Sequence, residues 1–91
     1  MKKSAQLDLL EAAIKEHGYI LRYEKGNFLG GECRVREERV VMVNKFLPLE
    51  GKIYTLALVI SNINPPGLAP ETAKIVDHLI GNSLFMKEEQ R

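Results

Sequence analysis

Residues 39–63 read RVVMVNKFLPLEGKIYTLALVISNI, and they contain a predicted strand followed by a predicted helix. Its first part, Val40–Val43, is apolar at four successive positions. Such a run is typical of a strand covered on both faces, so we expect a central or nearly central strand. Pro48 and Glu50 favour the start of a helix. That helix carries apolar residues at helical spacing and is predicted to pack at the centre of the core. The apolar positions are Ile53, Leu56, Ala57, Ile60 and Ile63.

Three further elements are predicted before residue 39. Ser4 is the predicted N-cap of an N-terminal helix that ends at Gly18, because glycine tolerates a left-handed backbone. Residues 19–25 alternate between apolar and polar side chains, which predicts a half-buried strand. Residues 28–36 predict a second strand, with a bulge or close backbone approach at the Gly30–Gly31 pair.

The third strand is predicted over residues 39–44. Only about two residues connect the second strand to it, which makes meander order 1-2-3 the default. The sequence therefore predicts an α+β fold with an N-terminal helix and a three-stranded antiparallel sheet in meander order. A central packing helix and a short C-terminal helix complete it. We expect one compact domain over residues 1–82. Residues 83–91 are predicted to form a frayed, charged tail.

The composition is that of an ordinary globular domain. The 91 residues are 45% hydrophobic and 27% charged, and the formal net charge is +1. So small a charge creates no strong field to attract nucleic acid or an anionic membrane. No apolar run approaches the roughly 18 residues that a membrane span needs. Cys33 is the single cysteine, which excludes an intramolecular disulfide and favours a cytoplasmic location.

Cys33 is the first candidate for chemistry. Arg34 beside it could lower the pKa of the thiol and produce a reactive thiolate. The strand period places the two side chains on opposite faces, however, and free cysteines are among the most buried residues. A core position is therefore the competing interpretation. His17 and His78 lie near predicted helix ends without a third donor at metal spacing, so no metal or other cofactor is expected.

Polar residues on the strands supply the other candidates. Arg22, Arg34 and Arg36 are predicted to share one face of the sheet and form a candidate nucleic-acid surface. Glutamates lie among them in the sequence, so ion pairs on a solvated face explain the pattern more simply. Asn44 and Lys45 end the third strand and could present polar groups to a ligand. Alternatively, the asparagine side chain satisfies the turn.

The order of strand, asparagine and helix in residues 39–62 resembles the core of zincin-like zinc peptidases. In that family the helix carries Thr-Leu-Ala and then His-Glu-x-x-His. Here Thr-Leu-Ala stands at residues 55–57, but Leu58 and Asn62 occupy the histidine positions and Val59 the glutamate position. Leucine and valine can neither ligate zinc nor take a proton from bound water. The resemblance therefore implies a degenerate zincin-like scaffold without peptidase chemistry.

A wider pattern resembles a family of short uncharacterised bacterial proteins. The resemblance covers nearly the whole chain. Its matching segments are Gly18-Tyr19, Lys25–Phe28, Gly30–Arg34 and Val43–Leu49. Because no activity is assigned to that family, the resemblance implies no mechanism.

These observations favour a non-catalytic protein-interaction or assembly module. The expected partner is a second copy of the chain, forming a homodimer, or another protein, because a small sheet leaves an edge to cover. The alternative is a small ligand-binding protein or enzyme that uses Cys33 with Arg34 or Asn44. A weaker alternative is nucleic-acid binding through Arg22, Arg34 and Arg36. We expect no association with membranes.

Overall fold

The computed structural model describes residues 1–25, 30–35 and 38–81, and it describes side chains in residues 1–25 and 39–81. Helices and strands follow one another as the sequence predicts. The elements are α1 (Lys3–Glu16), β1 (Ile20–Glu24), β2 (Gly30–Val35), β3 (Glu38–Asn44), α2 (Leu49–Ile63) and α3 (Pro70–Val76), with a π-helical turn (Asp77–Gly81) after α3.

The strand order differs from the prediction. β3 lies between β1 and β2, so the order is β1-β3-β2. β1 runs parallel to β3, with Leu21 opposite Val41. β2 runs antiparallel to β3, with Glu32 opposite Val41. The predicted antiparallel meander is therefore wrong in its order and in the direction of one pair, although the fold still combines helices with a sheet.

The apolar sequence of β3 explains its central position. Val41 and Val43 have no exposed surface on the helix side of the sheet, and Val40 is buried as well. A strand that is apolar on both faces is best covered in the middle of a sheet, where its backbone groups also pair on both sides. The expectation that the third strand is central or nearly central agrees with this order, whereas the predicted meander would have placed that strand at an edge and is wrong. The error came from assuming that β1 and β2, as successive strands, must be neighbours.

The core lies between the sheet and the two long helices. Tyr19, Leu21 and Tyr23 face the helices, as the alternation in the sequence predicts. α1 and α2 pack against each other over the same face. The largest fully buried side chains come from both helices, β3 and the π-helical turn: Leu10, Ile14, Val41, Val43, Leu56 and Ile80.

The two long helices end where the local sequence favours a helix end, but the predicted start of α1 needs a correction. α1 begins at Lys3 and no side chain caps it, so the predicted Ser4 N-cap is wrong. Gly18 follows α1 with a φ of +86°, in the left-handed region that favours glycine. Asn64 ends α2 in a left-handed conformation, and its N–H donates to the Ile60 carbonyl oxygen over 2.8 Å. The two prolines that follow prevent the helix from continuing.

The C-terminal helix is short, as the sequence predicts. α3 spans 7 residues and the π-helical turn adds 5. Ile80 in that turn is buried in the core, which anchors this end of the chain. The predicted boundary at residue 82 and the predicted tail of residues 83–91 lie outside the described residues. In the part of the chain that is described, no helix is both long and apolar enough to cross a membrane.

Candidate functional site

An open cleft, the helix-end cleft, lies where α1 and α2 end and β3 begins. Its volume is about 480 Å³, within the roughly 300–1,000 Å³ typical of small-molecule sites. The two helix ends, the first residues of β3 and the connection after α2 all contribute to it. Its lining includes His17, Tyr19, Arg39, Asn62, Asn64 and Pro66.

His17 connects two parts of the chain at this cleft. Its Nδ1 lies 2.7 Å from the carbonyl oxygen of Ala13, one turn earlier in the chain. Its Nε2 lies 3.1 Å from the carbonyl oxygen of Pro66, beyond α2. Carbonyl oxygens only accept hydrogen bonds, and a neutral imidazole carries a single N–H. Both contacts are therefore hydrogen bonds only when His17 is protonated.

The same two contacts change the acidity of His17. The hydrogen bond to Ala13 raises the pKa of the imidazole most, and the hydrogen bond to Pro66 raises it further. The neighbouring carboxylate of Glu16 acts in the same direction, while partial burial opposes it. The folded protein therefore favours the imidazolium, which holds the connection after α2 against the end of α1.

We expect the free energy of unfolding to fall as the pH rises through the folded-state pKa of His17. Because this pKa lies above the ordinary value of 6.5, the stabilisation is complete below pH 6.5 and is lost above the folded-state value. Denaturant unfolding at a series of pH values measures the effect. His17→Gln should remove this step, and the control His78→Gln should retain it. The same pH dependence in His17→Gln as in the wild type would contradict the prediction.

Arg39 supplies the exposed cation of the helix-end cleft. Its Cζ lies 5.6 Å from the centroid of the Tyr19 ring, and that ring is itself buried. The cation–π contact holds the guanidinium beside the cleft. The two ion pairs found among the described residues involve Lys3 and Arg22 rather than Arg39. Its charge is therefore available to a ligand.

This cleft could not be recognised from the sequence. His17 was interpreted only as a helix-end residue. Residues at positions 17, 39 and 66 are far apart in the chain and meet only because α1, β3 and α2 end or begin at the same side of the domain. The available signals were the histidine at a helix end and the arginine at a strand start, and neither indicates the other.

Asn44 and Lys45 lie at the other end of β3, away from the helix-end cleft. The Asn44 side-chain oxygen accepts a hydrogen bond from the Phe46 backbone N–H over 3.0 Å. The Lys45 ammonium lies 5.5 Å from the centroid of the Phe46 ring. The asparagine side chain therefore satisfies the turn, which is the structural role that the sequence analysis kept as an alternative.

Arg22 forms an ion pair on the face of the sheet away from the helices. Its Nη2 lies 3.0 Å from Oε2 of Glu24, and its Nε donates to the same oxygen over 3.0 Å. Both side chains are exposed, so the pair adds little to stability. Such an ion pair is expected on a solvated face. Arg22 therefore has a carboxylate partner, whereas no ion pair of Arg39 is found among the described residues.

Cys33 and Arg34 belong to β2. The backbone register places Cys33 opposite Val40 and Arg34 opposite Arg39. Arg36 lies outside the described residues. The thiol site and the surface of three arginines therefore stay predictions.

A second polar cluster connects α1, β1 and α2. The Tyr23 hydroxyl donates a hydrogen bond to the Glu11 carboxylate. The Lys52 ammonium lies 5.5 Å from the centroid of the Tyr23 ring. Burial first, and then the Glu11 carboxylate, raise the pKa of Tyr23. The phenol therefore keeps its proton at neutral pH and serves as a structural donor rather than a catalytic base.

The positions that correspond to the zinc peptidase motif lie on two sides of α2. Leu58 and Asn62 are exposed on its outer face, whereas Val59 is buried. Within the described ranges, no group of three or more histidine, cysteine, aspartate or glutamate side chains is placed to hold a metal ion. The helix-end cleft instead combines a guanidinium, an imidazolium and amides, which suit binding. No family model, curated protein or solved structure matches this chain.

Proposed function

We propose that the protein is a non-catalytic interaction module that forms a homodimer through the outer face of α2. This face consists of Glu50, Tyr54, Leu58 and Asn62, spaced four residues apart. Tyr54 is 45% exposed and Leu58 is 39% exposed. This exposure carries the proposal, because the outer face of a surface helix normally bears charged residues, and residues 53–63 contain none.

The order of residues on the outer face of α2 suits a two-fold axis. If two copies of α2 pack antiparallel with the two-fold axis midway between Tyr54 and Leu58 on the outer face, Tyr54 lies against the partner's Leu58. Glu50, whose Oε2 already forms an ion pair with Lys3 over 2.7 Å, then lies near the partner's Asn62, whose amide can donate to the other carboxylate oxygen. A parallel arrangement would instead bring the two Glu50 carboxylates together. The antiparallel contact is self-complementary, as a two-fold dimer requires.

Two polar side chains that could perform chemistry already have structural partners, which supports a non-catalytic role. The turn after β3 uses the side-chain oxygen of Asn44. The carboxylate of Glu11 uses the hydroxyl of Tyr23. We place the protein in the cytoplasm, because its single cysteine suits a reducing compartment.

Leu58→Glu is expected to weaken the dimer at least tenfold, which corresponds to about 1.4 kcal/mol. The two-fold axis makes each substitution act twice, removing two leucines from the interface and adding two carboxylates. Sedimentation velocity over a range of protein concentrations measures the monomer–dimer equilibrium. Ala12→Glu, at an exposed position of α1, is the matched control and should dimerise like the wild type. A wild-type chain that stays monomeric throughout, or a dimer that Leu58→Glu leaves intact, would refute the proposal.

Binding of a small ligand is the second candidate function, and the helix-end cleft favours it. The version that uses Cys33 with Arg34 or Asn44 has less support, because a turn N–H already occupies the asparagine oxygen. Nucleic-acid binding through Arg22, Arg34 and Arg36 also has less support, since a glutamate neutralises the first of these arginines.

A further inference from the structure

The helix-end cleft combines positive charge with neutralised helix ends. The carbonyl ends of α1 and α2 would make this side of the domain negative and unsuitable for an anion. At α1, protonated His17 offsets that effect by donating to the carbonyl oxygen of Ala13 in the last turn of the helix, while its other ring nitrogen lies 3.1 Å from the Pro66 carbonyl oxygen beyond α2. At the end of α2, the backbone N–H of Asn64 donates a hydrogen bond to the carbonyl oxygen of Ile60.

Among the described residues that line the cleft, Arg39 is the cation that forms no ion pair and can bind a ligand. None of the described residues that line the cleft is an aspartate or a glutamate. The Tyr19 ring beneath the guanidinium limits its movement, which lowers the entropy lost when a ligand binds. A guanidinium presents N–H groups in a planar fork that matches the two oxygens of a carboxylate. The side chains of Asn62 and Asn64 lie in the same cleft and can supply further donors.

We propose that the helix-end cleft binds a small organic carboxylate, with Arg39 as the anchoring cation. The apolar part of the ligand lies against Ile63 and Pro65, which also line the cleft. A carboxylate suits the site better than a phosphate, because both ring nitrogens of His17 are directed at carbonyl oxygens and the described lining residues offer the anion a single guanidinium, that of Arg39. The site lies within one chain, so it does not depend on the proposed dimer.

Benzoate is the first probe, because it combines a carboxylate with a compact apolar ring. We expect saturable chemical-shift changes in the NMR spectrum at residues around the cleft. Benzamide, its neutral analogue, should produce none. Arg39→Gln should weaken benzoate binding at least tenfold, because it removes the charge from an exposed side chain that the core does not need. Arg22→Gln is the matched control on the same sheet, and it should bind benzoate like the wild type.

A capped dipeptide with a free C-terminus is the second probe, compared with its amide. Tighter binding of this dipeptide than of benzoate would identify a peptide terminus as the source of the carboxylate, and the reverse order would identify a free acid. The proposal fails if benzoate gives no saturable shifts, if benzamide binds equally well, or if both arginine variants lose the same affinity. It also fails if inorganic phosphate binds more tightly than either carboxylate.

Discussion

Val41→Asp is expected to lower the free energy of unfolding by about 5 kcal/mol or more. A loss of this size is enough to leave a large fraction of the molecules unfolded. Val41 is 0% exposed at the centre of the sheet. A carboxylate at this position either stays charged without a partner or takes up a proton at a raised pKa, and both cost free energy. A domain of this size has only about 5–15 kcal/mol to lose. Circular dichroism during urea unfolding measures the effect.

Met42→Asp is the matched control for Val41→Asp. The two positions are adjacent in β3, so the substitutions change strand propensity in similar ways. Met42 is only half-buried and lies on the opposite face from the main core. Its substitution should cost about 1–2 kcal/mol. Equal losses at both positions would show that the helices do not cover the Val41 face of the sheet.

Leu56→Ala is expected to lower the free energy of unfolding by about 2–5 kcal/mol. Leu56 is 0% exposed in the middle of α2, where it is surrounded by the core. Removing its side chain loses the burial of the leucine and leaves a cavity that the packed neighbours fill only in part. Alanine favours helix, so the loss would come from packing rather than from α2 itself.

Leu58→Ala makes the same chemical change two residues later, on the outer face of α2. Leu58 is 39% exposed, so its substitution opens no closed cavity and should cost about 1 kcal/mol or less. Both variants should be unfolded at the same low protein concentration, because the proposed dimer would add to the stability of the wild type. A cost at Leu58 equal to that at Leu56 would contradict the orientation of α2.

The type of each element could be predicted from the sequence. The alternation from Tyr19 identified which side of β1 meets the core, and the left-handed Gly18 was correctly placed after α1. These features depend on neighbouring residues, so a local pattern contains the information. Ser4 failed as an N-cap because that helix begins at Lys3, with Lys2 at the N-cap position and no side-chain cap.

The candidate site was less predictable than the fold. Asn44 was considered because it ends a strand, and the structure uses its side chain in the turn. Arg39 and His17 belong to the helix-end cleft, but each is ordinary in its own segment. The helical spacing already left Tyr54 outside the predicted apolar positions, but only the folded domain shows that its side of the helix is exposed.

Side-chain periods of two or of about 3.6 residues within one segment were enough to predict the helices, the strands, the buried face of β1 and the apolar character of β3 on both faces. Three features depend on the folded domain as a whole: the parallel pairing of β1 with β3, the contact of His17 with Pro66, and the exposure of the outer face of α2. Those features depend on which segments become neighbours in space, and several arrangements of this small sheet can bury the same apolar residues.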